Sequence, residues 1–178
     1  MRTIHVLSVL VASSFAVAAP AARGGEIVYG GGVSFMLHTP TGWVLDAESG
    51  HDQGMDAVYL AKGTKFGDAK VIAYAHGMAR DGQTLAQIID QVVAGMRRQA
   101  PKLAVEPVVD WTCGKKSGRL LLVAHDPAGN SEALGFLEEG DAVVVIGLLA
   151  NDTKARTAAM PRMRELCSSY RFLGPVKH

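Results

Sequence analysis

Alternation of apolar and polar side chains is clearest from Val33 to Leu37. Val33, Phe35 and Leu37 alternate with Ser34, Met36 and His38, the period of a half-buried strand. Thr39-Pro40-Thr41-Gly42 then breaks the run, because Pro40 fixes φ and lacks a donor while Gly42 tolerates positive φ. Trp43, Val44 and Leu45 resume extended structure. The stretch Val33 to Asp46 therefore reads as strand, turn, strand, and marks where a sheet begins.

Further strands are predicted over Asp56–Lys62, Val71–His76, Val105–Thr112, Arg119–His125, Ser131–Leu137 and Ala142–Leu149. The turns between them carry strong turn residues, Asp126-Pro127-Ala128-Gly129-Asn130 above all. Short turns imply hairpins and antiparallel pairing. Ala142–Leu149 is apolar throughout, which predicts cover on both faces or a central place in the sheet.

Two stretches change to a helical period. Leu85, Ile88, Ile89, Val92, Val93 and Met96 form one apolar stripe. Thr84 and Gln87 supply a capping box, Arg97 and Arg98 suit the negative helix end, and Pro101 prevents continuation. Such a helix must lie on the sheet. Ala155, Ala159, Met163, Leu166, Cys167 and Tyr170 make a second stripe, capped by Asp152 or Thr153, which Pro161 should kink or divide. Phe172 and Leu173 add a last apolar contact. The pattern predicts an α+β fold: an antiparallel meander of about six to eight strands packed with two amphipathic helices, an α/β/α sandwich.

The N-terminus has a different character. Arg2 precedes an apolar run from Ile4 to Val17, and Ala16-Val17-Ala18 fits a small-x-small cleavage pattern. At about 14 residues the run is shorter than the ~20 of a membrane-spanning helix. Residues 1–18 are therefore expected to be a cleavable signal peptide. A flexible, glycine-bearing segment follows at 19–32, then a single domain at 33–174. The expected location is periplasmic or secreted, with no transmembrane span in the mature chain.

Composition narrows the function. At 48% hydrophobic the chain is too apolar to be disordered. The leader holds one of the 18 Lys+Arg and none of the 17 Asp+Glu, so the processed chain is neutral. A neutral chain argues against nucleic acid and against electrostatic membrane binding. The two cysteines, Cys113 and Cys167, are expected to form a disulfide in an exported protein; two separate buried thiols are the alternative.

No catalytic constellation, cofactor motif or metal-ligand spacing emerges. The glycines at 30–32 precede a strand and lack a Gly-Lys-Ser/Thr ending, which rules out a phosphate-cradling loop. His38, His51, His76 and His125 could gather at a sheet edge but show no ligand spacing. Glu138, Glu139 and Asp141 sit in a turn, where solvation is the expected role. Asn151-Asp152-Thr153 matches a glycosylation sequon, but helix capping explains it. Trp43 and Trp111 are the candidates for contact with a partner, since tryptophan is enriched at binding hot spots; burial in the core is the alternative.

Three features together carry a resemblance. They are Phe35-x-Leu37 leading into Pro40-x-Gly42-Trp43 and Asp46, the mid-chain helix opened by Thr84-Leu85, and the meander ending in a helix with Ser168-Ser169-Tyr170-Arg171-Phe172. In these the chain resembles the PsbP/Mog/DcrB-like superfamily. The resemblance implies an α/β/α sandwich and a non-catalytic module that binds or assists other proteins, as photosystem accessory subunits, a Ran-GTPase-binding factor, bacterial envelope proteins and secretion-effector chaperones do. It brings no catalytic residues. The expected function is an exported binding or accessory module with a protein partner. The alternatives are a small-molecule or lipid carrier, with a pocket between helix and sheet among Met36, Met55, Met78 and Met96, and a histidine-based metal enzyme.

Overall fold

The structure is a computed structural model and describes residues 25–176. The expected signal peptide, 1–18, lies outside the described residues.

Among the described residues, eleven strands form two antiparallel sheets. The smaller holds β1 (Glu26–Gly30), β2 (Val33–Leu37) and β11 (Arg171–Pro175), in the order β1-β2-β11. The larger begins with β3 (Trp43–Asp46), β4 (Ala57–Ala61) and β5 (Val71–Ala79). It continues, after a helix, with β6 (Ala104–Val105), β7 (Val109–Cys113), β8 (Lys116–Ala124), β9 (Ser131–Glu139) and β10 (Ala142–Ala150). Its order is β3-β4-β5-β10-β9-β8-β6, with β7 also paired to β8. The apolar strand β10 lies between β5 and β9 and is buried on both sides, as its continuous apolar sequence requires.

Helix α1 (Leu85–Gln99) follows β5 and α2 (Thr153–Ser168) follows β10. Each side of the large sheet has its own core. Val58, Leu60, Leu121, Phe136 and Val143 meet Ile88 and Ile89 of α1. Tyr59, Val144, Ile146 and Leu148 meet Met163 and Leu166 of α2, together with Val28, Phe35 and Leu37 of the small sheet. The capping box of α1 is present in full, with Gln87 N–H donating to Thr84 Oγ1 and Thr84 N–H to Gln87 Oε1.

Several expectations need correction. The strand, turn and strand read over Val33–Asp46 are present as β2 and β3, but these belong to different sheets, and the turn at Pro40 carries the chain from one to the other. β2 is instead satisfied on both edges by β1 and β11. β1 falls within 19–32, the stretch expected to be flexible, yet pairs with β2 over five residues because Val28 reaches the core. Arg171–Pro175 is a strand as well as an apolar contact. The single strand expected over Val105–Thr112 splits at Pro107, which cannot donate to a ladder. Pro161 does not divide α2, which runs unbroken from Thr153 to Ser168. The buried Met163, Leu166 and Cys167 hold the turn that follows it.

The two sheets touch where the β1–β2 turn crosses β5, and only glycine fits there. A Cβ on Gly77 would stand 2.2 Å from Gly30 O, and one on Gly31, at φ +56, would stand 2.3 Å from Met78 N. Asp56 secures this crossing: its Oδ2 accepts the Gly77 N–H at 2.7 Å and lies 3.1 Å from His76 Nδ1.

Candidate binding cleft and exposed sheet face

Residues of even number on β9 face α1, so Glu132, Leu134 and Phe136 share one side of the sheet. On β5, Tyr74, His76 and Met78 face the same way. Val92 and Met96 of α1 close over them, and Gln53 and Met55 come from the segment before β4. Between these groups lies a cleft of about 350 Å³. Its walls are apolar except near Glu132, Tyr74 and His76. Three of its residues are methionines, whose flexible thioether side chains let such a surface adapt to shape.

The polar end is built across three strands. The Tyr74 hydroxyl donates to Glu132 Oε2 at 3.2 Å. The strand between them is β10, where Gly147 leaves room for the ring; a Cβ there would stand 2.1 Å from Tyr74 Cζ. Burial pushes the Glu132 carboxyl up to about 8, helped by a hydrogen bond with Asp126 and by that residue's charge. Burial likewise raises the Tyr74 phenol, with Glu132 adding to the shift. Asp126 is itself buried, and its Oδ1 accepts the Ala128 and Asn130 N–H groups at 2.9 and 2.7 Å. Among the described residues neither Glu132 nor Asp126 forms an ion pair. The nearest buried cation, Arg156 of α2, is turned to the backbone oxygens of Val123 and Glu132 and to Glu106 Oε1.

A second surface lies on the small sheet. Its inner face carries Val28, Val33, Phe35 and Leu37 into the core. Its outer face exposes Ile27 and Tyr29, in register with Met36 and Ser34. Leu173 is exposed at the irregularity in β11, next to Arg171, which pairs with Met36. Ile27, Tyr29 and Leu173 are 52%, 62% and 44% exposed, a concentration of large apolar groups that the interior does not require.

The residues singled out in the sequence fall partly in the cleft and partly elsewhere. Trp43 and Trp111 are half-buried and pack against the α2-side core, Trp43 from β3 and Trp111 from β7. They sit towards opposite ends of the sheet order and do not form one surface. Gly135 makes room for Trp111: a Cβ there would stand 2.1 Å from its ring. Of the four methionines, Met55, Met78 and Met96 line the cleft, while Met36 lies on the small sheet. His76 pairs with Asp56 and His51 with the Ala47 carbonyl, and His125 takes a positive φ of 58° at the end of β8. Among the described residues no group of three or more His, Cys, Asp or Glu is placed to hold a metal ion. Glu138 pairs with Arg80. Glu139 is only 10% exposed, bonded to Lys116 Nζ and Tyr170 OH, so solvation is not its role. Cys113 and Cys167 form a disulfide that ties β7 to the end of α2. Asp152 caps α2 by accepting the Ala155 N–H at 2.7 Å. No helix among the described residues is long and apolar enough to cross a membrane.

The cleft's polar end was not read from the sequence. Tyr74 and Glu132 are 58 positions apart, and only strand order brings them together. One signal was available: an acidic residue in an otherwise apolar strand, Glu132 in Ser131–Leu137.

No protein-family model matches the chain, and no curated protein does. Solved structures do. Cyanobacterial PsbP (CyanoP) from Synechocystis sp. PCC 6803 aligns with a TM-score of 0.53 at 10% identity, over 89% of this chain and 98% of that one. A protein from Bacteroides thetaiotaomicron aligns with a TM-score of 0.52 at 9% identity, over 88% of this chain and 50% of that one. The Saccharomyces cerevisiae Ran-binding protein Mog1p reaches a TM-score of 0.45 at 15% identity, over 84% of this chain and 96% of that one. At such identities the likeness is one of fold, and the fold of this chain is the PsbP-like α/β/α sandwich.

Proposed function

We propose that the chain is an exported, non-catalytic binding module whose partner is a protein, met on the outer face of the small sheet. The exposed Ile27, Tyr29 and Leu173 carry this reading. Apolar groups gathered on one face lose water-exposed area when a partner covers them, and Tyr and Arg are favoured anchors at such interfaces. Trp43 and Trp111 are proposed as outlying contacts. Export is supported by the leader-like sequence of residues 1–18 and by the disulfide, which suits an oxidising compartment. Residues 33–174, with β1, are proposed as the single domain.

The test is capture from cell-envelope extract with the processed domain, compared with an I27D/Y29D double variant and with W43A and W111A. Circular dichroism checks that each variant folds. A specific protein retained by the wild type and lost in I27D/Y29D is the expected result. Capture unchanged by that variant, no specific partner, or turnover in a hydrolase substrate screen would overturn the reading.

The cleft favours a second reading, a small-molecule carrier. Its volume of about 350 Å³ falls at the lower end of ligand sites, and its lining is apolar with a few convergent polar groups. Native mass spectrometry of the purified protein should then show a bound small molecule, and a uniformly empty protein counts against it.

A further inference from the structure

The chemistry of the cleft is more specific than its shape. It contains a carboxyl group at one end, apolar walls along the rest, and a second carboxyl, Asp126, behind the first. Neither carboxyl has a cationic side chain as ion-pair partner among the described residues, and no Lys or Arg lines the cleft. A ligand complementary to it is apolar along its length and positively charged at one end.

We propose that the cleft between α1 and the sheet binds a small aliphatic amine, its alkyl chain against Met55, Met78, Met96 and Phe136 and its ammonium on the Glu132 carboxylate. This deepens the carrier reading and rests on it. An ammonium is a compact charge with three donors. Glu132 offers a carboxylate oxygen, Asp126 stands behind it, and the Tyr74 oxygen keeps lone pairs free while its proton goes to Glu132. A guanidinium asks for a bidentate fork, and Tyr74 already takes one Glu132 oxygen. A carboxylate-ended ligand would meet like charge. An alcohol would gain the apolar contacts and forgo the ion pair.

Binding would be coupled to a proton. The empty site holds Glu132 largely protonated at neutral pH, and an ammonium needs it ionised, so the amine displaces that proton to solvent. The groups around Glu132 come from several elements. Tyr74 and His76 come from β5, His76 already paired with Asp56; Asp126 comes from the β8–β9 turn. Helix α1 brings only Val92 and Met96 to the cleft, and Gln53 is uncharged. Arg156 touches only the Glu132 backbone carbonyl.

The experiment titrates the intact processed protein with n-hexylammonium, 1-hexanol and hexanoate by calorimetry between pH 6 and 9, with an E132Q variant beside the wild type. Gln is close in size to Glu and still accepts from Tyr74, so E132Q folds if the reading is right; denaturant unfolding checks this. The expected order is hexylammonium at least about tenfold tighter than hexanol, with hexanoate weakest. Amine affinity should rise with pH towards 8, approaching about tenfold per unit when one proton is exchanged. E132Q should lose about tenfold in amine affinity, lose the pH slope, and leave hexanol within about twofold. Equal binding of amine and alcohol, or an amine affinity unchanged in E132Q, overturns the proposal while leaving a carrier of neutral ligands. No binding of any of the three overturns the proposal and the carrier reading together.

Discussion

The Tyr74 hydroxyl reaches Glu132 over the backbone of Gly147, spanning β10 to join two strands that are not neighbours. The contact exists because β10 supplies an empty position at the height of the Tyr74 ring. Gly147→Ala would place a methyl group 2.1 Å from Tyr74 Cζ, on a strand packed on both sides. The ring must move or the strands must part. We expect a loss of about 2 kcal/mol in denaturant unfolding, typical of overpacking, and a rise in the protonated fraction of Glu132 at pH 7 read by NMR, because the Tyr74 hydrogen bond favours the ionised carboxylate.

Glu132 makes stability depend on pH in an unusual direction for a carboxyl group. Its folded value of about 8 stands above the 4.5 of the free side chain. Through that window the folded protein keeps a proton that the unfolded chain has released. The contribution is fully present below pH 4.5 and is lost as pH rises to 8, by on the order of 5 kcal/mol at most. Urea unfolding at pH 5, 7 and 9 should show the decline, and Glu132→Gln should flatten it.

Cys113 and Cys167 lie 54 positions apart and are joined with their Cα atoms 4.8 Å apart. Closing a loop of that length restricts the unfolded chain, worth on the order of 4 kcal/mol in the chain-entropy account. Reduction, or Cys113→Ser with Cys167→Ser, should lower the unfolding free energy by a comparable amount and shift the thermal midpoint down by several degrees.

The start of α1 depends on Thr84. Its side chain and backbone both bond Gln87, satisfying donors that the helix leaves free. Thr84→Ala should destabilise the protein by about 1 kcal/mol, and Thr84→Ser should restore most of it. Because α1 forms one wall of the cleft, hydrogen exchange over its first turn should rise in the Ala variant.

The period of the side chains by itself determined much of this protein. The capping box at Thr84 and Gln87, the apolar stripe beneath it, the hairpins from β8 to β10 and the buried nature of β10 all follow from local pattern, because each rests on residues close together in the chain. Met55, Met78 and Met96 could be named as pocket candidates for a similar reason: unbranched thioethers are conspicuous wherever they stand. Tertiary structure decided the rest. Periodicity gives a strand its inward face but not its neighbours, so it could not assign β2 and β3 to separate sheets or bring β11 beside β2. Nor could it forecast that Pro161 would be held inside an unbroken helix by the buried residues after it. The meeting of Tyr74, Glu132 and Asp126 depends on the order β5-β10-β9 and on one absent side chain at Gly147. Long-range pairing sets both, and local sequence encodes neither.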